Sequence, residues 1–127
     1  MNVNIEVVKV SPIVKDVIDY STIIFKIRFP KRVDFENSRD FWIFFNALIE
    51  GGALKLLLDL HDLEYIDSSG IGVLISTAKA LRKNSGDVVL ANASSDVRNV
   101  FKVVNLQSFI KLFNTDGEAF NHFRLVT

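Results

Sequence analysis

The chain has 127 residues, enough for one domain with a single buried core and too few for two. Its 15 basic and 15 acidic side chains give a formal net charge of zero, which argues against direct binding to nucleic acid or another polyanion. It contains no cysteine, which excludes disulfides, thiolate zinc sites and thiol redox chemistry and agrees with a reducing compartment.

The N-terminal stretch MNVNIEVVKV alternates polar and apolar residues, with Val3, Ile5 and Val7 on one face of a first strand. It lacks a basic segment followed by a long apolar one, so it does not read as a signal peptide. No apolar run approaches the roughly 18 to 20 residues of a membrane span, and a cytoplasmic protein is expected. Ser11-Pro12 breaks the strand, and Asp16 to Ser21 connects it to a second strand over Thr22 to Phe29. There Ile23, Phe25, Ile27 and Phe29 face one side and Lys26 and Arg28 the other, which predicts one wet face. The connection is too short for a helical crossover, so the two strands should pair antiparallel.

The polar stretch PKRVDFEN, Pro30 to Asn37, ends at Ser38, which reads as the cap of a helix reaching Glu50. Phe41, Phe44, Phe45 and Leu48 form its apolar stripe, while Trp42, Ile43 and Ile49 fall outside. Two readings stand: a helix buried more deeply than usual, or an exposed aromatic patch through which a partner or a second copy docks as a homodimer. Gly51-Gly52 ends the helix.

Leu54 to Leu60 is dense in leucine, the composition of a strand buried on both faces. Ile71, Leu74, Ile75, Ala78 and Leu81 then recur at helical spacing as far as Lys83. Between the two lies Asp67-Ser68-Ser69-Gly70, where a strand hands over to a helix. Any of Asp67, Ser68 and Ser69 could cap the helix. Its unpartnered N–H groups and dipole favour an anion there, a covalently attached phosphate included. Gly70 and Gly72 keep one side of the first turn bare for close approach.

Asn84-Ser85-Gly86 is a turn and Asp87 to Ala91 a short apolar strand. Ser94 or Ser95, with Asp96, caps a helix whose inward residues are Val97, Val100, Phe101 and Val104. Phe109 to Phe113 reads as the last strand. Thr115 and Glu118 have capping-box spacing before a helix burying Ala119, Phe120 and Phe123. The order predicts one α/β domain spanning residues 1–127, a mixed sheet of about four to five strands packed with about four helices. No repeat or dividing linker is visible.

His61, Asp67 and Ser68 supply the residue types of a catalytic triad, but they lie within eight residues on one strand and its connection and do not converge. Asp59, His61 and Asp62 suggest a metal only weakly, with His122 the sole further nitrogen ligand. Gly70-Ile71-Gly72 is a lone G-x-G without a third glycine or P-loop lysine. No cofactor, no metal and no enzymatic activity are expected.

Leu58-Asp59-Leu60, then three residues, then Glu64-Tyr65-Ile66-Asp67-Ser68-Ser69-Gly70-Ile71-Gly72-Val73-Leu74 resembles the STAS domain of anti-sigma-factor antagonists. The resemblance continues through Gly86 to Asn92, Val97, Arg98, Val100, Phe101 and Asn105-Leu106. It implies that Ser68, with Ser69 as runner-up, is phosphorylated by an anti-sigma factor that is also a serine kinase. A serine/threonine-class phosphatase would reset the switch. The partner-binding set it implies is Asp34, Asp67, Ser68, Ser69, Gly70, Ile71 and Gly72. In the family a glycine usually stands two residues before the aspartate matched by Asp34; that glycine is absent, and Pro30, Lys31 and Arg32 occupy the turn. The alternatives are a scaffold in a larger STAS signalling or transport assembly, or a small-ligand module using the aromatic patch around Trp42.

Overall fold

The computed structural model describes residues 4–9 and 20–125; Val3, the break at Ser11-Pro12 and residues 16–19 of the first connection lie outside the described residues. The elements run β1 (Asn4–Lys9), β2 (Ile23–Arg28), β3 (Arg32–Val33), α1 (Ser38–Glu50), β4 (Lys55–Asp59), β5 (Tyr65–Ile66), α2 (Ser68–Lys83), β6 (Asp87–Ala91), α3 (Ser95–Val103), β7 (Leu112–Phe113) and α4 (Asp116–Leu125). Five strands form a mixed sheet in the order β1-β2-β4-β6-β7, with β1 antiparallel to β2 and the rest parallel. The remaining two, β3 and β5, form a small parallel ladder of their own.

All five residues of the central strand β4 are buried. Because side chains alternate along a strand, Leu56 and Leu58 enter the larger core with Phe29, Phe41, Phe45, Leu74 and Phe101. Leu57 enters a second one with Ile24, Val89, Ala119 and Phe123. Helix α4 therefore covers the face of β2 expected to be wet. On that strand Ile24 is fully buried, and only Lys26 and Arg28 keep polar company. Lys26 reaches Asp116 at 2.6 Å, Glu6 at 3.5 Å and Asp59 at 3.8 Å. The Asp116 carboxylate first of all raises the Lys26 ammonium above its ordinary pKa, against the lowering effect of burial.

Helix α1 divides between a buried face and a half-buried one. Phe41, Phe45 and Ile49 are buried and Phe44 and Leu48 only partly so, which turns the stripe toward Ile49. Phe41 is fully buried against Phe29, ring centroids 5.1 Å apart, so it lines no surface. Trp42 packs partly buried on the same core, and Ile43 is the large apolar side chain the helix leaves exposed. Of the aromatic patch considered around Trp42, Phe41 and Phe45 are withdrawn into the core, while Trp42 and Phe44 stay half-buried beside exposed Ile43.

Four further details differ. The N-cap of α1 is Asn37, not Ser38, because the Asp34 carbonyl accepts from the N–H groups of Asn37 and Ser38 and has already turned the chain. In α3 only Val97 and Phe101 are buried, whereas Val100 and, at its C-cap, Val104 are exposed; Leu106 and Ile110 share the same core and complete it there. The last strand shrinks to Leu112–Phe113. The N–H groups of Phe109 and Ile110 are spent on the Leu106 carbonyl, and the Arg82 guanidinium holds the Phe109 carbonyl at 2.6 Å and lies over its ring. At α4 the Thr115 hydroxyl accepts from the Glu118 N–H, while the Glu118 carboxylate accepts from Asn114 rather than Thr115.

Candidate functional site

The small ladder decides the site. Pairing Arg32 with Tyr65 and Val33 with Ile66 lays the connection before α1 beside the one before α2, so residues about 30 positions apart in sequence become neighbours. The Lys31 carbonyl accepts from the N–H groups of Glu64 and Tyr65, and the Val33 carbonyl from that of Asp67. Arg32 stacks its guanidinium over the Tyr65 ring at 4.2 Å and pairs with Asp34 at 2.7 Å. The turn lacking the family glycine is thus an ordinary strand entry.

Asp67 is the N-cap of α2, with extended backbone, and Ser68 is the first helical residue. Its Oδ1 accepts from the N–H groups of Ser69 at 2.9 Å and Gly70 at 3.1 Å and from the Ser69 hydroxyl at 2.5 Å. Its Oδ2 accepts from the Phe35 N–H at 3.1 Å. The Ser69 hydroxyl, then these backbone donors, hold the Asp67 carboxyl below its ordinary pKa. Two of the N–H groups expected to attract an anion are therefore already occupied by a carboxylate.

The two serines differ. Ser68 is exposed, whereas Ser69 is partly buried with its hydroxyl committed to Asp67. The glycines differ as well. A Cβ on Gly70 would lie 2.6 Å from Ile66 Cγ1 and 3.0 Å from Val33 Cγ1, so its bare side is filled by the ladder, not by a partner. A Cβ on Gly72 would meet nothing within 4 Å. Ile71 is buried. Asp34 is buried too, its Oδ2 on Arg32 and its Oδ1 accepting from the Glu36 N–H, so it shapes the loop from within. Of the expected set, Ser68 and Gly72 face outward, Asp67 and Ser69 are partly exposed, and Asp34, Gly70 and Ile71 point inward. Phe35, which sequence reasoning passed over, is 76% exposed beside Asp67; a phenylalanine amid polar loop residues was its one signal.

The model of the STAS domain matches residues 14–119. The chain belongs to the STAS domain family. A Thermotoga maritima protein provisionally described as an anti-sigma factor antagonist is 30% identical to this STAS protein over 96 residues, 74% of this chain and 84% of the relative. A crystal structure of a protein so described from the same organism matches with TM-score 0.76 at 26% identity, over 86% of this chain and 92% of that one. SpoIIAA in its unphosphorylated form shares the fold, with TM-score 0.68 at 20% identity over 97% of this chain and 98% of that one.

The residue types of a triad and of a metal site are held apart from one another. The Asp67 carboxylate takes its hydrogen bonds from Ser69, Gly70 and Phe35, while His61 is exposed in the turn after β4, its backbone N–H donating to Asp59 Oδ1. His122 lies against Phe113 and Phe123 on α4, its pKa lowered chiefly by burial. Among the described residues no group of three or more His, Cys, Asp or Glu is placed to hold a metal ion, and no helix is long and apolar enough to cross a membrane.

Proposed function

We propose that this protein is a binding switch without enzymatic activity, acting in the cytoplasm on an anti-sigma factor that is also a serine kinase. Unmodified, it presents the first turn of α2 and the adjoining loops to that partner and so frees a sigma factor. The partner phosphorylates Ser68, and a serine/threonine-class phosphatase reverses the modification. The observation that carries this reading is the exposed Ser68 hydroxyl at the start of α2, directly after a carboxylate that already occupies the helix N-terminus.

The physical consequence follows from that carboxylate. A phosphate adds about −1.5 to −2 charges at neutral pH. Beside Asp67 it meets a like charge, and an interface covering both must desolvate them together. The fold keeps its cap, so the cost falls on binding.

The test is peptide mapping after incubation with the purified kinase and ATP. One phosphate is expected on Ser68, lost in Ser68→Ala and retained in Ser69→Ala. Ser68→Asp should fold like wild type and bind the kinase at least about tenfold more weakly; wild-type affinity in that variant, or a phosphate that survives Ser68→Ala, refutes the proposal.

A further inference from the structure

We infer that Phe35 is the apolar anchor by which this protein docks on its anti-sigma factor, with Asp67 holding the anchor in place. The inference rests on the proposed switch and adds the residue that supplies its affinity. Phe35 is 76% exposed, the most exposed aromatic ring among the described residues of this site, and burial of its ring contributes little to the fold. Its backbone is nevertheless pinned. The Phe35 N–H donates to Asp67 Oδ2 at 3.1 Å, the Glu36 N–H to Asp34 Oδ1 at 3.0 Å and the Asp34 N–H to Asn37 Oδ1 at 2.9 Å. The Asn37 side chain in turn donates to the Arg32 carbonyl at 2.8 Å.

An exposed aromatic ring on a fixed backbone loses little further freedom when a partner covers it, and such rings dominate the affinity of protein interfaces. The place fits the occupant. Phe35 hangs from the residue next to Ser68, and Tyr65, 45% exposed under Arg32, continues the surface along the same ladder. Exposed residues of both signs, Lys31, Arg32, Glu36, Arg39 and Asp40, neighbour Phe35 in sequence, so the complementary feature is an apolar pocket for the ring. A phosphate on Ser68, next to the carboxylate that holds the Phe35 backbone, would have to shed its own hydration for the pocket to close over the ring.

Calorimetric titration tests this with the serine-kinase anti-sigma factors of the cell that makes the protein, each purified, against wild type, Phe35→Ala, Phe35→Leu and Ser68→Asp. Phe35→Ala should bind about 30-fold or more weakly, Phe35→Leu should recover part of the loss, and both should melt like wild type. Binding of Phe35→Ala within about threefold of wild type, with Ser68→Asp weakened, overturns the anchor and leaves the switch standing. Loss in Phe35→Ala with Ser68→Asp binding normally keeps the anchor and removes the charge switch. If wild type binds none of these kinases, both fall.

Discussion

Alanine at Gly70 and alanine at Gly72 are the same chemical change two residues apart in one helical turn, and they should move stability in opposite directions. Either one stabilises the helix by about 1 kcal/mol through backbone propensity. At Gly72 nothing lies within 4 Å of the new Cβ, so that gain is the whole effect. At Gly70 the Cβ would come 2.6 Å from Ile66 Cγ1, 3.0 Å from Val33 Cγ1 and 3.1 Å from Ile66 Cδ1, against about 3.5 to 4.0 Å for a normal carbon contact. Ile66 and Val33 are buried on the β3–β5 ladder and cannot swing aside into solvent. Overpacking of this kind costs about 1 to 3 kcal/mol. Because the propensity gain is common to both variants, that steric cost is the difference between them. At about 4 °C per kcal/mol for a domain of this size, the melting temperatures should differ by roughly 4 to 12 °C. Differential scanning calorimetry on the two proteins reads this directly, and Gly70→Ala melting at or above Gly72→Ala would refute the packing argument. Under the proposed function the outward side of Gly72 should carry binding instead, so Gly72→Leu is expected to fold and to bind the proposed kinase partner poorly.

Gly86→Ala should be worse than Gly70→Ala, because its Cβ would lie 2.2 Å from the Leu54 carbonyl oxygen, a backbone atom; a loss of about 3 kcal/mol or more in urea unfolding is expected. Asp67 is held below its ordinary pKa, so its stabilising contribution is complete above the ordinary aspartate value and disappears as the pH falls through the lower folded value. The melting difference between wild type and Asp67→Asn should therefore be constant from about pH 8 to pH 5 and change below about pH 4; a flat difference throughout the acid range would contradict it. Asp59 is buried, accepts from the His61 N–H and the Asn92 side chain at 3.0 Å each, and lies 3.8 Å from the Lys26 ammonium. Asp59→Ala should lower stability by about 3 kcal/mol in the same unfolding assay, and a loss below about 1 kcal/mol would show that the network is dispensable.

Much of this was legible in the chain. The leucine run of β4 and the apolar spacing of α2 are local patterns, fixed by side-chain alternation and helical periodicity, and they appear in the structure where the residues put them; of the three candidate caps Asp67, Ser68 and Ser69, the structure chooses Asp67. The antiparallel start followed from the short connection. What spacing could not convey was which sides were occupied. Lys26 and Arg28 promised a wet face that α4 covers, Val100 and Val104 promised a buried one, and Gly70 and Gly72 looked alike although one is filled by Val33 and Ile66 and the other open.

By itself, then, the sequence determined the four helices, the main strands and the family pattern around Ser68. Only the tertiary structure decided which surface surrounds that serine. The β3–β5 ladder joins segments about 30 residues apart, and a contact such as Phe35 on Asp67 comes from that long-range pairing, which no local periodicity encodes.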